Sequence, residues 1–277
     1  MGKPVETLNL VDGKSSVLIT PARGGLVTRF VVDGEEVLYL EEETLVDPSK
    51  NVRGGIPILF PSPGPLTNGR FDWRGLSGEM KQHGFARTLP WRVVTSGRRE
   101  AVLELTSSAD TRDAFPWDFA LSFRYVLAGP KLSIEQTVEN SSSVALPFAL
   151  GLHPYFRVPQ TDKPRTLLPT RATRAWDNVA KREIALLGSI DLSAEEVDLH
   201  LLDHGANGAS LVLPSGRSIH VHATSHYGRW VVWTLGGRDF VCLEPWTAGA
   251  DALNHGTDLF VLEPGTQKRL RVDVEVG

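Results

Sequence analysis

Cysteine is almost missing from this chain: Cys242 stands alone among 277 residues. An intramolecular disulfide framework is therefore excluded, and the thiol, set in the apolar run Phe240–Leu243, reads as inert and buried. Long apolar runs are absent as well. No stretch is long enough to span a bilayer, and the opening Met1-Gly2-Lys3-Pro4 lacks the apolar core of a signal peptide. The expected location is the cytoplasm, where a lone thiol stays reduced. Charge of one sign is lacking too. The formal net charge is −4, and the longest basic run is Arg98-Arg99, so neither nucleic acid nor an anionic membrane is an expected partner. No phosphate-binding glycine loop or dinucleotide fingerprint appears.

Helical periodicity is scarce, and what replaces it is period two. Leu270, Val272, Val274 and Val276 alternate with charged residues, as Leu121, Phe123, Tyr125 and Leu127 alternate with others. Such alternation marks strands with one face on a core and one in water. Further strands are expected at Ser16–Thr20, Leu26–Val32, Val37–Leu40, Ala101–Thr106, Val144–Leu150, Ala209–Leu213, Ser218–Ala223, Trp230–Leu235, Phe240–Leu243 and Leu259–Leu262. Ala128-Gly129-Pro130 reads as a hairpin turn. Asn178–Leu187 is expected as a short helix and Thr111–Phe115 as a turn or so. Many short strands between turns predict an all-β fold, a large antiparallel sandwich or barrel. With no shift in composition, residues 1–277 read as one domain. Pro48–Lys81 and Arg157–Ala175 are long and poorly periodic, and the first is where chemistry is expected.

Three patches set titratable groups among glycine, proline and aromatics. The first joins Arg53-Gly54-Gly55-Ile56-Pro57-Ile58-Leu59-Phe60-Pro61 to His83-Gly84-Phe85-Ala86-Arg87. Paired glycines allow close backbone approach to a ligand, although Arg53 and Arg87 read equally as surface ion-pairing residues. The second is Gly151-Leu152-His153-Pro154-Tyr155-Phe156, where Pro154 stops a strand beside a histidine able to titrate near neutrality. A buried histidine bonded to a carbonyl is the plain alternative. The third is Glu244-Pro245-Trp246 at the end of an apolar strand. Partial burial would make Glu244 a better general base, and the Trp246 face suits the apolar side of a sugar ring. The plain alternative pairs Glu244 with an arginine. His220 and His222 share a strand face without a convincing third ligand, so no metal site is expected. His200, His204, His226 and His255 add no second anchor.

In this order and spacing the patches resemble the aldose 1-epimerase (galactose mutarotase) superfamily over nearly the whole chain. The resemblance implies a galactose mutarotase-like supersandwich that interconverts the α and β anomers of an aldohexose, with no metal or redox cofactor required. It would make Glu244 the base at the anomeric hydroxyl and His153 the acid at the ring oxygen. His83 would hydrogen-bond the sugar, and Arg53 and Arg87 would line the pocket. Asp198 matches the family's substrate-binding aspartate loosely, and Asp203 is the alternative. The two arginines also resemble those of hexose-6-phosphate 1-epimerases, so the phosphate stays open. The expected partner is a small sugar, taken by a monomer or weak dimer. Rival readings are a non-catalytic carbohydrate-binding module, a glycoside hydrolase, which would need a second carboxylate, and a metal-dependent barrel on His220 and His222.

Overall fold

The computed structural model describes residues 6–277, so the Met1-Gly2-Lys3-Pro4 opening lies outside it. Alternation in the sequence becomes alternation in burial. Along Phe119–Ala128 every second side chain is buried, and the strand pairs with Lys131–Asn140 through the two-residue Gly129-Pro130 turn. These two strands sit within a seven-stranded antiparallel sheet that also holds Arg92–Ser96, Glu100–Thr106, Gly208–Val212, Ser218–Ala223 and Gln267–Val276.

A second, eight-stranded sheet runs in the order Arg182–Ala185, Arg174–Asp177, Glu196–Leu201, Arg229–Leu235, Phe240–Trp246, Gly151–Leu152 and Ile58–Leu59, with Tyr155–Arg157 also on the Phe240–Trp246 strand. Val232, Val241 and Leu243 from this sheet share one apolar core with Leu121, Phe123, Ile134 and Val272 from the first. The result is the expected all-β sandwich. Leu8–Asp12, Ser15–Thr20, Leu26–Val32 and Glu35–Glu36 form a separate four-stranded sheet. The described residues include only three short α-helices, Glu42–Val46, Ala109–Ala114 and Ala252–His255.

Three expectations change. Asn178–Leu187 is not a helix: Arg182–Ala185 is an edge strand paired with Arg174–Asp177. Local turn chemistry overrides helix propensity there, because Asp177 Oδ1 accepts from the Val179 and Ala180 N–H groups, both at 2.9 Å, and Lys181 takes a positive φ. Val37–Leu40 is reduced to isolated bridges from Leu38 to Phe156 and from Leu40 to Gly54. The Phe240 strand runs on through Pro245 to Trp246 rather than ending at Leu243. The irregular Pro48–Lys81 segment, for its part, carries a two-stranded ribbon of Arg70–Trp73 and Leu76–Glu79.

The glycine-rich segments serve close backbone packing rather than direct approach to a ligand. Gly55 has φ +66°, and a Cβ there would lie 2.2 Å from the Val27 carbonyl oxygen. Gly84 has φ +68°, and its Cβ would meet the Phe60 oxygen at 2.0 Å. Both positions need φ values and space that only glycine supplies. Gly84→Ala should therefore lower stability by about 2 kcal/mol or more. Gly34→Ala, also at positive φ but with open space around it, should lose about 1 kcal/mol. Paired thermal melts check this, and equal shifts would refute the packing argument.

Candidate active site

The eight-stranded sheet has two working faces because side chains alternate. On the Phe240–Trp246 strand, Val241 and Leu243 enter the main core, while Cys242, Glu244 and Trp246 lie on the opposite face. On Glu196–Leu201, Val197, Leu199 and Leu201 are buried in the core, which leaves Glu196, Asp198 and His200 on the other side. Register then brings residues from distant segments into rows. His200 pairs with Val231, which pairs with Glu244, and Asp198, Trp233, Cys242 and Tyr155 form the next row. Over these rows lies a cleft of about 460 Å³, lined among others by Arg53, His83, Arg87, His153, Asp198 and Glu244. That volume suits a small ligand.

Glu244 is 1% exposed. Its Oε2 accepts from the Trp246 indole N–H at 3.0 Å, and its Oε1 lies 3.3 Å from His153 Nε2. Burial pushes this carboxyl well above the ordinary carboxylate range, aided by Asp198 and opposed by the Trp246 hydrogen bond and Arg87. His153 sits between the Gly151–Leu152 and Tyr155–Arg157 strands, its backbone N–H donating to the Pro57 carbonyl at 3.0 Å. Burial, with Arg87 in support, lowers its pKa to about 3. Both groups thus favour their neutral forms, so at rest a protonated carboxyl touches a neutral imidazole. The other ring nitrogen, Nδ1, is buried without a partner. Packing orients the ring instead: it stacks on Tyr155 with centroids 4.7 Å apart and meets Trp233 edge-on at 5.7 Å.

His83 holds a backbone φ of +72°, unusual for a non-glycine residue. Two reciprocal bonds fix it: its N–H donates to the Gly64 carbonyl at 2.9 Å, and its Nδ1 accepts from the Gly64 N–H at 3.0 Å. Burial keeps the ring neutral by lowering its pKa well below the usual value. With Nδ1 an acceptor, the neutral ring carries its proton on Nε2 and so acts as a donor. Gln82 Nε2 lies 3.2 Å from that nitrogen; an amide N–H cannot accept, so a hydrogen bond from His83 to Gln82 requires the amide turned to present its oxygen.

Arg87 donates to the Gln82 carbonyl at 3.0 Å, while its buried Nε has no partner. Burial lowers its pKa, against the opposing pull of Tyr155 and Glu244. Arg53 is exposed on the rim of the cleft. The structure separates the two aspartates. Asp198 lines the cleft, with Oδ2 accepting from Asn178 Nδ2 at 2.7 Å and Oδ1 3.6 Å from His200 Nε2. Burial raises its pKa, but the His200 and Asn178 hydrogen bonds outweigh that and hold it below the usual value. Asp203 is instead an exposed loop tie that accepts from the Thr173 hydroxyl at 2.6 Å and from the Thr173 and Arg174 N–H groups.

Trp246 is 3% exposed, and its N–H is committed to Glu244, so it positions the carboxyl more than it offers a face. The half-buried Trp233 presents the more open indole on the cleft floor. Sequence reasoning passes over Asn178 and His200. The signal for His200 is its i+2 spacing from Asp198 on an alternating strand, whereas Asn178 reaches the cleft only through the turn that replaces the expected helix. His220 is occupied elsewhere, with Nδ1 2.8 Å from the Ser210 hydroxyl and Nε2 2.8 Å from that of Ser218.

Comparison with known proteins bears on the family and the fold. The aldose 1-epimerase family profile matches residues 6–275. The crystal structure of the Slr1438 protein from Synechocystis superposes with a TM-score of 0.96 at 36% identity, covering 100% of this chain and 97% of that one. A galactose mutarotase-like protein from Lactobacillus casei superposes at 0.79 with 23% identity over 98% of this chain and 100% of its own, which shows the shared fold. A protein of Cenchrus ciliaris named "Putative glucose-6-phosphate 1-epimerase" is 27% identical over 83% of this chain and 67% of its own length. A Salmonella typhimurium protein of the same name is 36% identical over 46% of this chain and 40% of its own length. With the profile running almost end to end over a sandwich of the same architecture, this chain belongs to the aldose 1-epimerase family.

Proposed function

We propose that the protein is an aldose 1-epimerase that exchanges the α and β anomers of an aldohexose. The observation that carries this reading is the buried 3.3 Å contact between His153 Nε2 and Glu244 Oε1 on the cleft floor. Mutarotation needs a base at one hemiacetal oxygen and an acid at the other. On this reading Glu244 and His153 share one proton. When it resides on His153, the ionised Glu244 takes the O1 proton, the electron pair freed on O1 forms the aldehyde C=O, and the C1–O5 bond breaks. Its electron pair stays on O5, which receives the His153 proton. That step leaves Glu244 protonated and His153 neutral, the arrangement that burial favours. Rotation about C1–C2 presents the other carbonyl face, and reversing both transfers closes the ring as the other anomer. One proton cycles within the pair, so the step draws none from solvent. His83, as a fixed neutral donor, polarises the ring oxygen, and Asp198 binds sugar hydroxyls.

A phosphorylated hexose is the second reading, favoured by Arg87. Its guanidinium is largely enclosed, its Nε is unpartnered, and among the described residues it forms no ion pair. A buried cation without a counter-charge is poorly compensated, and a phosphate dianion on Arg87 and Arg53 would supply one. The relatives named for glucose 6-phosphate agree with this.

Polarimetry on freshly dissolved α-D-glucose and α-D-galactose, with exchange NMR on glucose 6-phosphate, tests both readings. Anomer exchange should accelerate and fall by about 10²-fold or more in Glu244→Gln; failure to accelerate exchange of any of these sugars would refute the proposal. Glu244→Gln should also melt a few degrees higher at pH 7. An isosteric amide keeps the Trp246 bond, whereas the acid must hold in the fold a proton that the unfolded chain releases above its ordinary pKa.

Arg87→Gln should raise KM for glucose 6-phosphate about tenfold or more above its effect on glucose if the phosphate reading holds. Equal effects on the two sugars would sink that reading.

The pH profile has its own sign. Neutral His153 gains a second proton for the pair only as pH falls toward about 3, and the pair's last proton leaves only above the raised Glu244 value. The rate should therefore show no acid limb until roughly pH 4, and an acid limb centred on an ordinary histidine value near 6.5 would contradict it.

A further inference from the structure

Glu244 and His153 have a third neighbour that mutarotation does not use. Cys242 lies two residues before Glu244 on the same strand face and is fully buried. One ligand atom each from His153, Cys242 and Glu244 lies within 4.8 Å of the other two. A tetrahedral zinc site, with bonds of about 2.0–2.3 Å, sets its ligand atoms roughly 3.3–3.8 Å apart. The Glu244–His153 separation of 3.3 Å already falls there, and the thiol lies within 4.8 Å of both ligand atoms. The donor set is one imidazole nitrogen, one carboxylate oxygen and one thiolate, a combination suited to zinc rather than to magnesium or calcium.

Two ligands able to bind as anions match the charge of the ion. Zn²⁺ held by the Glu244 carboxylate, the Cys242 thiolate and a neutral imidazole, with the ligand protons released, would make a neutral site, as a divalent charge at this depth requires. The cleft reaches His153 and Glu244 directly, with Cys242 beneath them, so the ion has an entry path and an open fourth position facing the sugar.

We infer that His153, Cys242 and Glu244 form an inhibitory zinc site, in which the metal displaces the proton that the two catalytic candidates share. The binding stands on geometry alone, while the inhibition rests on the mutarotase reading proposed above. Zn²⁺ or Co²⁺, each as the chloride, is titrated into the full chain, with calorimetry for stoichiometry and absorbance for the Co²⁺ complex. One ion per chain should bind, and Co²⁺ should give a near-ultraviolet thiolate charge-transfer band that vanishes in Cys242→Ala. Zn²⁺ should abolish anomer exchange, and EDTA should restore it. Cys242→Ala should keep basal exchange while needing about tenfold or more Zn²⁺ for the same inhibition. Cys242→Val, closer in volume to the thiol, guards against a packing loss in the alanine variant.

Absence of binding, or zinc affinity unchanged in both variants with no thiolate band, would overturn the site. A thiolate band in a protein that exchanges no sugar would uphold the site and remove the mutarotase reading instead.

Discussion

The contact between Glu244 and His153 depends on dryness, and the surrounding structure is arranged to keep it dry. In water at neutral pH the carboxyl would be ionised and the imidazole close to its titration midpoint. At 1% and 7% exposure, burial favours the neutral form of each. That state requires a floor without gaps, which the cross-strand rows of three adjacent strands provide. It also requires a histidine loop that cannot drift. The Pro57 carbonyl anchors the loop's backbone, Tyr155 and Trp233 box in the ring, and Trp246 Nε1 fixes the opposite carboxyl oxygen.

The same strands that hold the site also hold the sandwich together. Every residue of Phe240–Trp246 is buried, because Val241 and Leu243 pack into the main core while, on the other face, Glu244 and Trp246 line the cleft and Cys242 packs with Tyr155 and Phe240. The strand looks continuously apolar in sequence, yet half of its burial belongs to a polar site. A substitution on the core-facing side disturbs packing between sheets, whereas one on the cleft side disturbs proton energetics. The two effects are separable because a strand's period of two keeps neighbouring residues on opposite faces. Burying a carboxyl whose pKa is raised lowers stability at neutral pH, so on the mutarotase reading the arrangement trades fold stability for a proton held where the reaction can use it.

How much of this was legible in the sequence follows from range. Period-two patterning is local, and it located Leu26–Val32, Ser218–Ala223 and most of the other strands it named to within a residue or three, but it passed over Glu196–Leu201 and a number of short or edge strands. The four motif segments were legible because glycine, proline and histidine carry strong local constraints, although the glycines turn out to admit the carbonyls of Val27 and Phe60 rather than a ligand. What the sequence hid depends on register. Nothing local states that His200 and Glu244 share a row through Val231. Asn178 was obscured by helix-forming neighbours, since the Asp177 side-chain bonds that favour a turn compete with a helix only marginally. Asp198 and Asp203 were indistinguishable until the strand face was known: one points to the cleft, the other ties a loop.

Arg87 connects the rim of the cleft to its floor. Its positive charge lowers the pKa of both His153 and Glu244, favouring ionised Glu244 but opposing protonated His153. On the mutarotase reading the pair needs both charged forms together just before ring opening, so an uncompensated Arg87 would help one half and hinder the other. An anion seated on the guanidinium would remove both influences, making His153 easier to protonate and Glu244 harder to ionise. On the phosphate reading, then, the substrate changes the electrostatics of the pair that acts on it, shifting the shared proton through the field at Arg87 without touching either group. A neutral hexose leaves that field in place. Discrimination between the two sugars would then arise in the chemical step as well as in binding, because the charge proposed to recognise the phosphate also acts on both members of the pair.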